Sequence, residues 1–213
     1  MMLGIYQFIP TEKLISYIQL PAPHFKSAIS VEEAILRRES RRDYKNSPIS
    51  LEALSQLLWS AQGIRNSAGF RVAPSAGAKY PLELFVIVRH VSNLKPGVYH
   101  YQPQFNRLEL VQMHYDKSLF NKAALKQTWV RDAPVVIIIA SNTKRTAEKY
   151  HQYAFRYVLM ESGHVAENMM LQAVSLKLGI VGVGGFDDKA VQEIFHLKGL
   201  HVLYLICIGN KQG

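Results

Sequence analysis

Six consecutive apolar residues, VVIIIA at positions 135–140, follow Pro134 without a polar side chain among them. A half-exposed strand alternates apolar and polar positions, so a run this continuous and this rich in β-branched residues fits a strand covered on both faces. Such a strand needs other strands beside it and helices packed on the sheet. LELFVIV at 82–88 has the composition of a second strand. Beyond the turn at Pro96 and Gly97, VYHY and RLELVQ read as a hairpin around Pro103 to Asn106, and VLYLICI supplies the last strand.

The intervening segments carry helix signals. Ser30 stands as an N-cap with Glu33 three residues on, a capping box opening a helix over Val31 to Arg38. Pro48 and Ser50 open a second helix, with Leu51, Leu54, Leu57, Leu58 and Ala61 at helical spacing until Gly63. A long helix is expected from Thr146 to Leu178, with Ala154, Val158, Met160, Val165, Met169 and Ala173 on its apolar stripe and Gly163 permitting close approach of another helix. Its Met and aromatic content suits either a core helix or a dimer interface. GIVGVGGF at 179–186 reads as a glycine-rich loop before a short helix, Asp187 to Phe195. The class is α+β, one domain over 1–213, with an extended leader over 1–28 that contains Pro21 and Pro23.

Composition narrows the setting. The single cysteine, Cys207, lies within an apolar strand and can form no internal disulfide, which points to a reducing, cytoplasmic compartment. The longest apolar run is far short of the ~20 residues a membrane-spanning helix requires, and the N-terminus lacks the pattern of a signal peptide. The net charge of +9 would attract nucleic acid or a phosphorylated small molecule. Outside one cluster the basic residues are scattered singly, and no zinc-finger spacing, aromatic RNA-binding strand or Arg/Gly tract accompanies them, which argues against nucleic acid.

That cluster is LRRESRRDY, with Arg37, Arg38, Arg41 and Arg42 around Ser40. Guanidinium forks and a hydroxyl match phosphate oxygens, although a solvated basic face has the same composition. Two other segments invite a ligand: PSAGAKYPLE at 74–83, whose small residues would let a flat molecule lie against backbone, and Gly182, Gly184 and Gly185, which would expose N–H groups near a helix start. Each has an ordinary reading, as a tight turn into a strand or as a helix cap. Neither G-x-G-x-x-G nor the Walker pattern is satisfied at 179–187, and G-x-S-x-G and H-E-x-x-H do not occur. Glu-x-x-His recurs at Glu148/His151, Glu161/His164 and Glu193/His196. A carboxylate-bridged metal pair would need these on facing helices of a bundle, which the strands oppose, so no metal is expected and Glu161 with His164 reads as a satisfied polar pair or an interface pair.

Taken in order, ISVEEAILRRESRRDY, LEALSQLLWSAQG, APSAGAKYPLELFVIV, RYVLMESGHVAENMMLQAVSLKLG, VGGFDD and LYLICIGN resemble the nitroreductase family of flavoproteins, and most closely its SagB-type dehydrogenase branch. The resemblance implies a central, mostly antiparallel sheet of about four to five strands wrapped by helices, in an intertwined homodimer with FMN sites at the interface. It assigns the FMN phosphate to Arg38, Ser40 and Arg42 with help from Lys211. It places Pro74, Ser75, Ala76 and Gly77 beside the flavin ring, and Gly184 and Gly185 with their backbone toward it. Glu39 departs from the family pattern and is expected to turn outward to a neighbouring arginine, leaving Arg37, Glu39 and Arg41 at the surface. The implied activity is ping-pong hydride transfer from NAD(P)H to a small acceptor such as a nitroaromatic or quinone. Azoline-oxidising relatives of the branch use a Lys-Tyr pair to remove a proton, which makes Lys79 and Tyr80 candidate catalytic residues for dehydrogenating an azoline in a modified peptide. The plain alternative is a surface lysine and a packing tyrosine, pointing to opposite sides of an extended segment. A non-catalytic basic domain that binds nucleic acid is the reading of another class.

Overall fold

The computed structural model of the chain describes residues 16–212, so the first fifteen residues of the expected leader lie outside the described residues. Seven strands form one sheet in the order β1-β4-β3-β2-β5-β7-β6, every pairing antiparallel. The strands are β1 (Tyr17–Gln19), β2 (Leu82–Val88), β3 (Gly97–Gln102), β4 (Arg107–Gln112), β5 (Val135–Ser141), β6 (Leu178–Val183) and β7 (His201–Asn210). The helices are α1 (Val31–Arg37), α2 (Leu51–Gln62), α3 (Lys117–Ala123), α4 (Thr128–Asp132), α5 (Lys144–Tyr150), α6 (Ala154–Ser175) and α7 (Asp188–Ile194).

The VVIIIA run forms β5, paired on one side with β2 and on the other with β7, and each of its residues is fully buried. Its side chains divide between two cores. Val135, Ile137 and Ile139 join a cluster with Leu54, Leu57 and Leu58 of α2 and Val158, Val165 and Met169 of α6. Val136, Ile138 and Ala140 join Phe120 of α3, Val130 of α4 and Val191 of α7. The continuous apolar pattern thus has its physical cause in helices on both faces.

The sheet is larger than the expected four to five strands. Part of GIVGVGGF is strand β6, not loop, and only Gly184 onward leaves the sheet. Glycine at 182 belongs in this strand because the Tyr204 ring of β7 occupies the space a side chain would need. Within the expected leader, Tyr17–Gln19 pairs with β4. The hairpin forms as expected, with Asn106 in the left-handed conformation at its turn.

The expected helix from Thr146 is broken. After α5 the chain makes a one-turn 3₁₀ segment at His151–Tyr153, entered through His151 at φ 47°, before α6 starts. Gly163 is exposed, and a Cβ there would meet no atom within 4 Å, so it admits no neighbour from its own chain; Met160 points outward with 54% exposure. At α1 only half of the capping box forms: Ser30 Oγ accepts from the Glu33 N–H, while the Glu33 carboxylate pairs with Arg37 at 2.7 Å. Among the described residues no helix is long and apolar enough to cross a membrane. Cys207 is buried in β7, and burial pushes its thiol up to about 12.

Candidate active site

The arginine segment is held by the sheet it runs beside. Arg38 ends α1 by donating its N–H to Ala34 O and turning extended. The Arg41 N–H then donates to Ile180 O of β6 at 2.9 Å, the Lys45 N–H to Asn210 O of β7 at 2.9 Å, and Tyr44 bridges Lys211. Gly179 marks where the pieces meet: a Cβ there would lie 3.3 Å from Arg41 Cβ and 3.6 Å from Lys211 Cγ. Lys211 therefore neighbours the arginine segment although 169 positions separate it from Arg42.

Charges in this segment sort by alternation. Glu39 turns to Arg41, with Oε1 2.7 Å from Nε, and Arg37 is taken by Glu33. Arg38 reaches only Glu167, at 4.0 Å and half exposed, a contact of little energy. Arg42 has no carboxylate within 4 Å among the described residues; its guanidinium stands 5.4 Å from the Trp129 ring, whose Nε1 is buried without a partner. Glu39 is thus directed as expected. Arg41 is not simply surface, since it is half-buried and its Cβ packs at Gly179.

Tyr44 fastens the segment. Its ring lies on Gly209 and its hydroxyl donates to Arg41 O at 3.0 Å, with burial raising the phenol well above its ordinary range. A Cβ at 209 would fall 2.6 Å from Tyr44 Cδ1. Gly209→Ala is therefore expected to cost about 1–3 kcal/mol and to loosen the arginine segment. Thermal unfolding of the purified variant checks the first effect.

Gly184 and Gly185 leave the other end of β6 exposed, with open space where side chains would be. Five residues of strand put Gly184 about 16 Å from Gly179. Gln127 holds the turn by donating Nε2–H to Gly185 O at 2.7 Å, and two residues on, Trp129 lies beneath Arg42. The Gly179 end has Arg41 and Lys211 beside it, the Gly184–Gly185 end offers bare backbone, and Arg38, the exposed Ser40 hydroxyl and Arg42 belong to the same docked segment. This donor set fits a long ligand with a phosphate at one end and a flat, electron-rich group at the other, as FMN has.

The Pro74–Tyr80 loop forms a second cluster. Ser75 Oγ accepts from the Tyr80 N–H at 2.9 Å, and Gly77, Ala78 and Tyr80 all have positive φ, at 58°, 53° and 45°. Gly77 suits the place doubly, because a Cβ would meet Tyr150 Oη at 2.9 Å. The segment is curled rather than extended. Lys79 pairs with Glu148 of α5 at 2.9 Å, while Tyr80 Oη accepts from the Arg71 N–H at 3.1 Å with the Arg71 guanidinium 4.8 Å from its ring. Arg145 donates to Tyr80 O at 3.1 Å and pairs with Glu83 at 2.6 Å. The loop is fixed from several sides.

Glu161 lies under this loop. It is 3% exposed on the apolar side of α6, and burial pushes its carboxyl up to about 7 against the opposing pull of Ser75, Gln62 and Arg71. Its Oε1 and the neighbouring Gln62 Nε2 are buried without partners, while Gln62 Oε1 accepts from Arg71 at 2.7 Å. His164 is exposed while Glu161 is buried, so of the two expected readings the polar pair within one chain does not form. The sequence did carry a signal: Glu161 sits between Val158 and Val165 at the spacing of the buried stripe.

Within one chain the two clusters stand apart. No hydrogen bond or ion pair among the described residues joins the Pro74–Tyr80 loop to Arg38, Ser40, Arg42 or Lys211. On α6, Glu161 beside Ser75 and Glu167 beside Arg38 are six residues, about 9 Å, apart along the helix axis. α1 packs on α6, and both expose large apolar side chains, among them Ile35, Leu36 (85% exposed), Phe155 and Leu159.

Comparison with known proteins gives a consistent picture. The model of the nitroreductase family matches residues 35–210. MJ1384 of Methanocaldococcus jannaschii, a protein assigned as a nitroreductase, is 42% identical over 186 residues, covering 86% of this chain and 92% of the relative. The microcin B17-processing protein McbC of Escherichia coli is 27% identical over 164 residues, 74% of this chain but 60% of McbC. Among solved structures, one assigned as a nitroreductase of Ralstonia eutropha JMP134 superposes with a TM-score of 0.80 at 26% identity, covering 92% of this chain and 90% of that one.

Proposed function

This chain belongs to the nitroreductase family of oxidoreductases, and we propose that it binds FMN as a homodimer and reduces a small quinone or nitroaromatic acceptor at the expense of NAD(P)H. The observation that supports the cofactor reading is the docking of the Arg38–Arg42 segment along β6, with Arg41 and Lys211 meeting at Gly179 and the exposed Gly184–Gly185 backbone at the strand's other end. When bound, FMN supplies reversible hydride chemistry. The chain's own residues have simpler tasks. Arg38, Arg42 and Lys211 neutralise the phosphate, Ser40 donates a hydrogen bond to it, and Glu39 stays clear through its pairing with Arg41. Gly184 and Gly185 let the ring edge approach main-chain N–H groups, and no side-chain acid is needed for exchange between nicotinamide and acceptor.

The exposed apolar side chains of α1 and α6 support the dimer, since a lone protomer would leave them in water. A dimer also gives the separated Pro74–Gly77 loop a place beside the ring held by the other protomer's arginines.

A second reading rests on the loop itself. Ala78 and Tyr80 keep left-handed backbone that non-glycine residues rarely adopt, and such geometry clusters where a loop is held for a task. McbC and the trifolitoxin-processing protein TfxB of Rhizobium leguminosarum, 23% identical, are relatives named for processing peptide products. In this reading Lys79 would first leave Glu148 and lose its own proton, then accept the substrate proton with Tyr80 as relay, while bound FMN would take the hydride of the azoline.

Lys79→Ala separates the two. Quinone reduction by NAD(P)H is expected to stay within about twofold of wild type, because the residue sits in a partly exposed ion pair. Oxidation of an azoline peptide, if it occurs, is expected to fall by about 10²–10⁴-fold, the usual contribution of a general base. Absence of turnover on any azoline peptide by wild type would count against the second reading.

A further inference from the structure

A cavity of about 560 Å³ opens beneath α3 and α4, between the β2 end and the β3–β4 hairpin, and the oxidoreductase reading gives it no task. Its walls are apolar, with Val88, Phe120 and Val130 at the base and Pro96, Met113 and Tyr115 higher up. Its charged lining residues are Arg89, Lys95, Lys117 and Arg131, with His114 beside them, and no aspartate or glutamate lines it. A volume of this order suits a ligand of ordinary small-molecule size.

Arg89 is the distinctive member. Its Nε donates to Tyr115 Oη at 3.0 Å, and its Nη1 to the carbonyls of Val130, Arg131 and Ala133 at 2.6, 2.8 and 3.0 Å. These acceptors are neutral, and Nη2 has no hydrogen-bond partner among the described residues. The nearby carboxylates are committed elsewhere: Asp132 is bidentate to Arg131, and Asp116 caps the N–H groups of Ser118 and Leu119. Four neutral acceptors and the Phe120 ring, 5.8 Å from the guanidinium, hold the half-buried Arg89 rigidly, Asp132 acts on it only from within its own pair with Arg131, and Nη2 remains available to an anion.

We propose that this cavity is a second binding site, separate from the FMN site, for a small amphipathic carboxylate whose aromatic or aliphatic body fills the apolar base. The carboxylate meets Arg89, and Lys95 and Lys117 at the rim contribute long-range attraction. Prior placement of Arg89 by three carbonyls lowers the ordering cost of binding.

The test uses the intact protein and 1-naphthoate as probe, followed by calorimetry, with neutral 1-naphthamide as the uncharged isostere. Saturable binding of one naphthoate per protomer is expected, with naphthamide at least roughly tenfold weaker. The double reversal Lys95→Glu/Lys117→Glu, at two exposed side chains, is expected to weaken naphthoate by roughly tenfold through loss of attraction and gain of repulsion, while leaving naphthamide unchanged. Equal binding of acid and amide, insensitivity to the rim reversal, or absence of saturable binding each overturns the proposal. Naphthoate that competes with FMN would place it at the flavin site and overturn it as well.

Discussion

Simultaneous replacement of Arg38 and Arg42 by alanine is expected to yield a folded protein that retains no FMN through purification. Hydrogen bonds from charged donors to a phosphate contribute about 1.5–3 kcal/mol each. Loss of one such bond from each arginine weakens binding by roughly 10²–10⁴-fold. The fold should survive, because neither side chain anchors structure: Arg42 lies exposed over Trp129, and Arg38 makes only the 4.0 Å approach to Glu167. Unfolding of the flavin-free variant should match that of flavin-free wild type, with FMN affinity measured by quenching of flavin fluorescence. Arg37→Ala is the control, since Arg37 is paired with Glu33 outside the site and its loss should leave affinity within about twofold.

The second large effect concerns Glu161. Its carboxyl titrates near 7 in the folded chain, against 4.5 for an ordinary glutamate, chiefly because burial penalises the anion. Between those two values the folded state holds a proton that the unfolded state has released. Its contribution to stability is therefore complete below about pH 4.5 and is lost as pH rises through 7. The full swing is on the order of 3 kcal/mol. Glu161→Gln keeps the size and removes the titration. Its stability relative to wild type should rise from pH 5 to pH 8.5 by that order, read as the difference in chemical-denaturation free energy at each pH. Parallel pH profiles for the two proteins would contradict the assignment. Because Glu161 lies against Ser75, the same titration is expected to loosen the Pro74–Tyr80 loop above neutrality.

Much of this architecture was legible in the chain because its strongest signals are local. VVIIIA fits a strand covered on both faces, and Ser50 with the leucines after it fits the start of an amphipathic helix. β6 was hidden because Gly179 and Gly182, read as loop residues, are in fact small for packing reasons: Arg41 and Lys211 crowd the first and Tyr204 the second. No glycine or proline marks the break at His151, where the backbone takes a positive φ of 47°. β1 has three residues and exists through its pairing with β4, so periodicity could not show it.

The site was legible where neighbours in sequence are neighbours in space. The division of Arg38, Ser40 and Arg42 from Arg37, Glu39 and Arg41 comes from the family resemblance; of it the structure shows Arg37 paired with Glu33 and Glu39 with Arg41, while Arg41 is half-buried. Bringing Lys211 to Arg41 required the Tyr44 bridge and the docking of Lys45 on Asn210, which are long-range events. The raised carboxyl of Glu161 required burial by α6 and the Ser75 loop together. Lys79 and Tyr80 were expected on opposite sides of an extended segment, but the curl set by Ser75 and the positive φ at Ala78 and Tyr80 gives them separate partners, Glu148 and Arg71.

The most direct test of the central claim is the absorbance spectrum of the purified wild-type protein, with titration by added FMN. The expected result is a yellow protein, or one that becomes so on reconstitution, with saturation at one FMN per protomer. A colourless protein with no saturable uptake of FMN would contradict it.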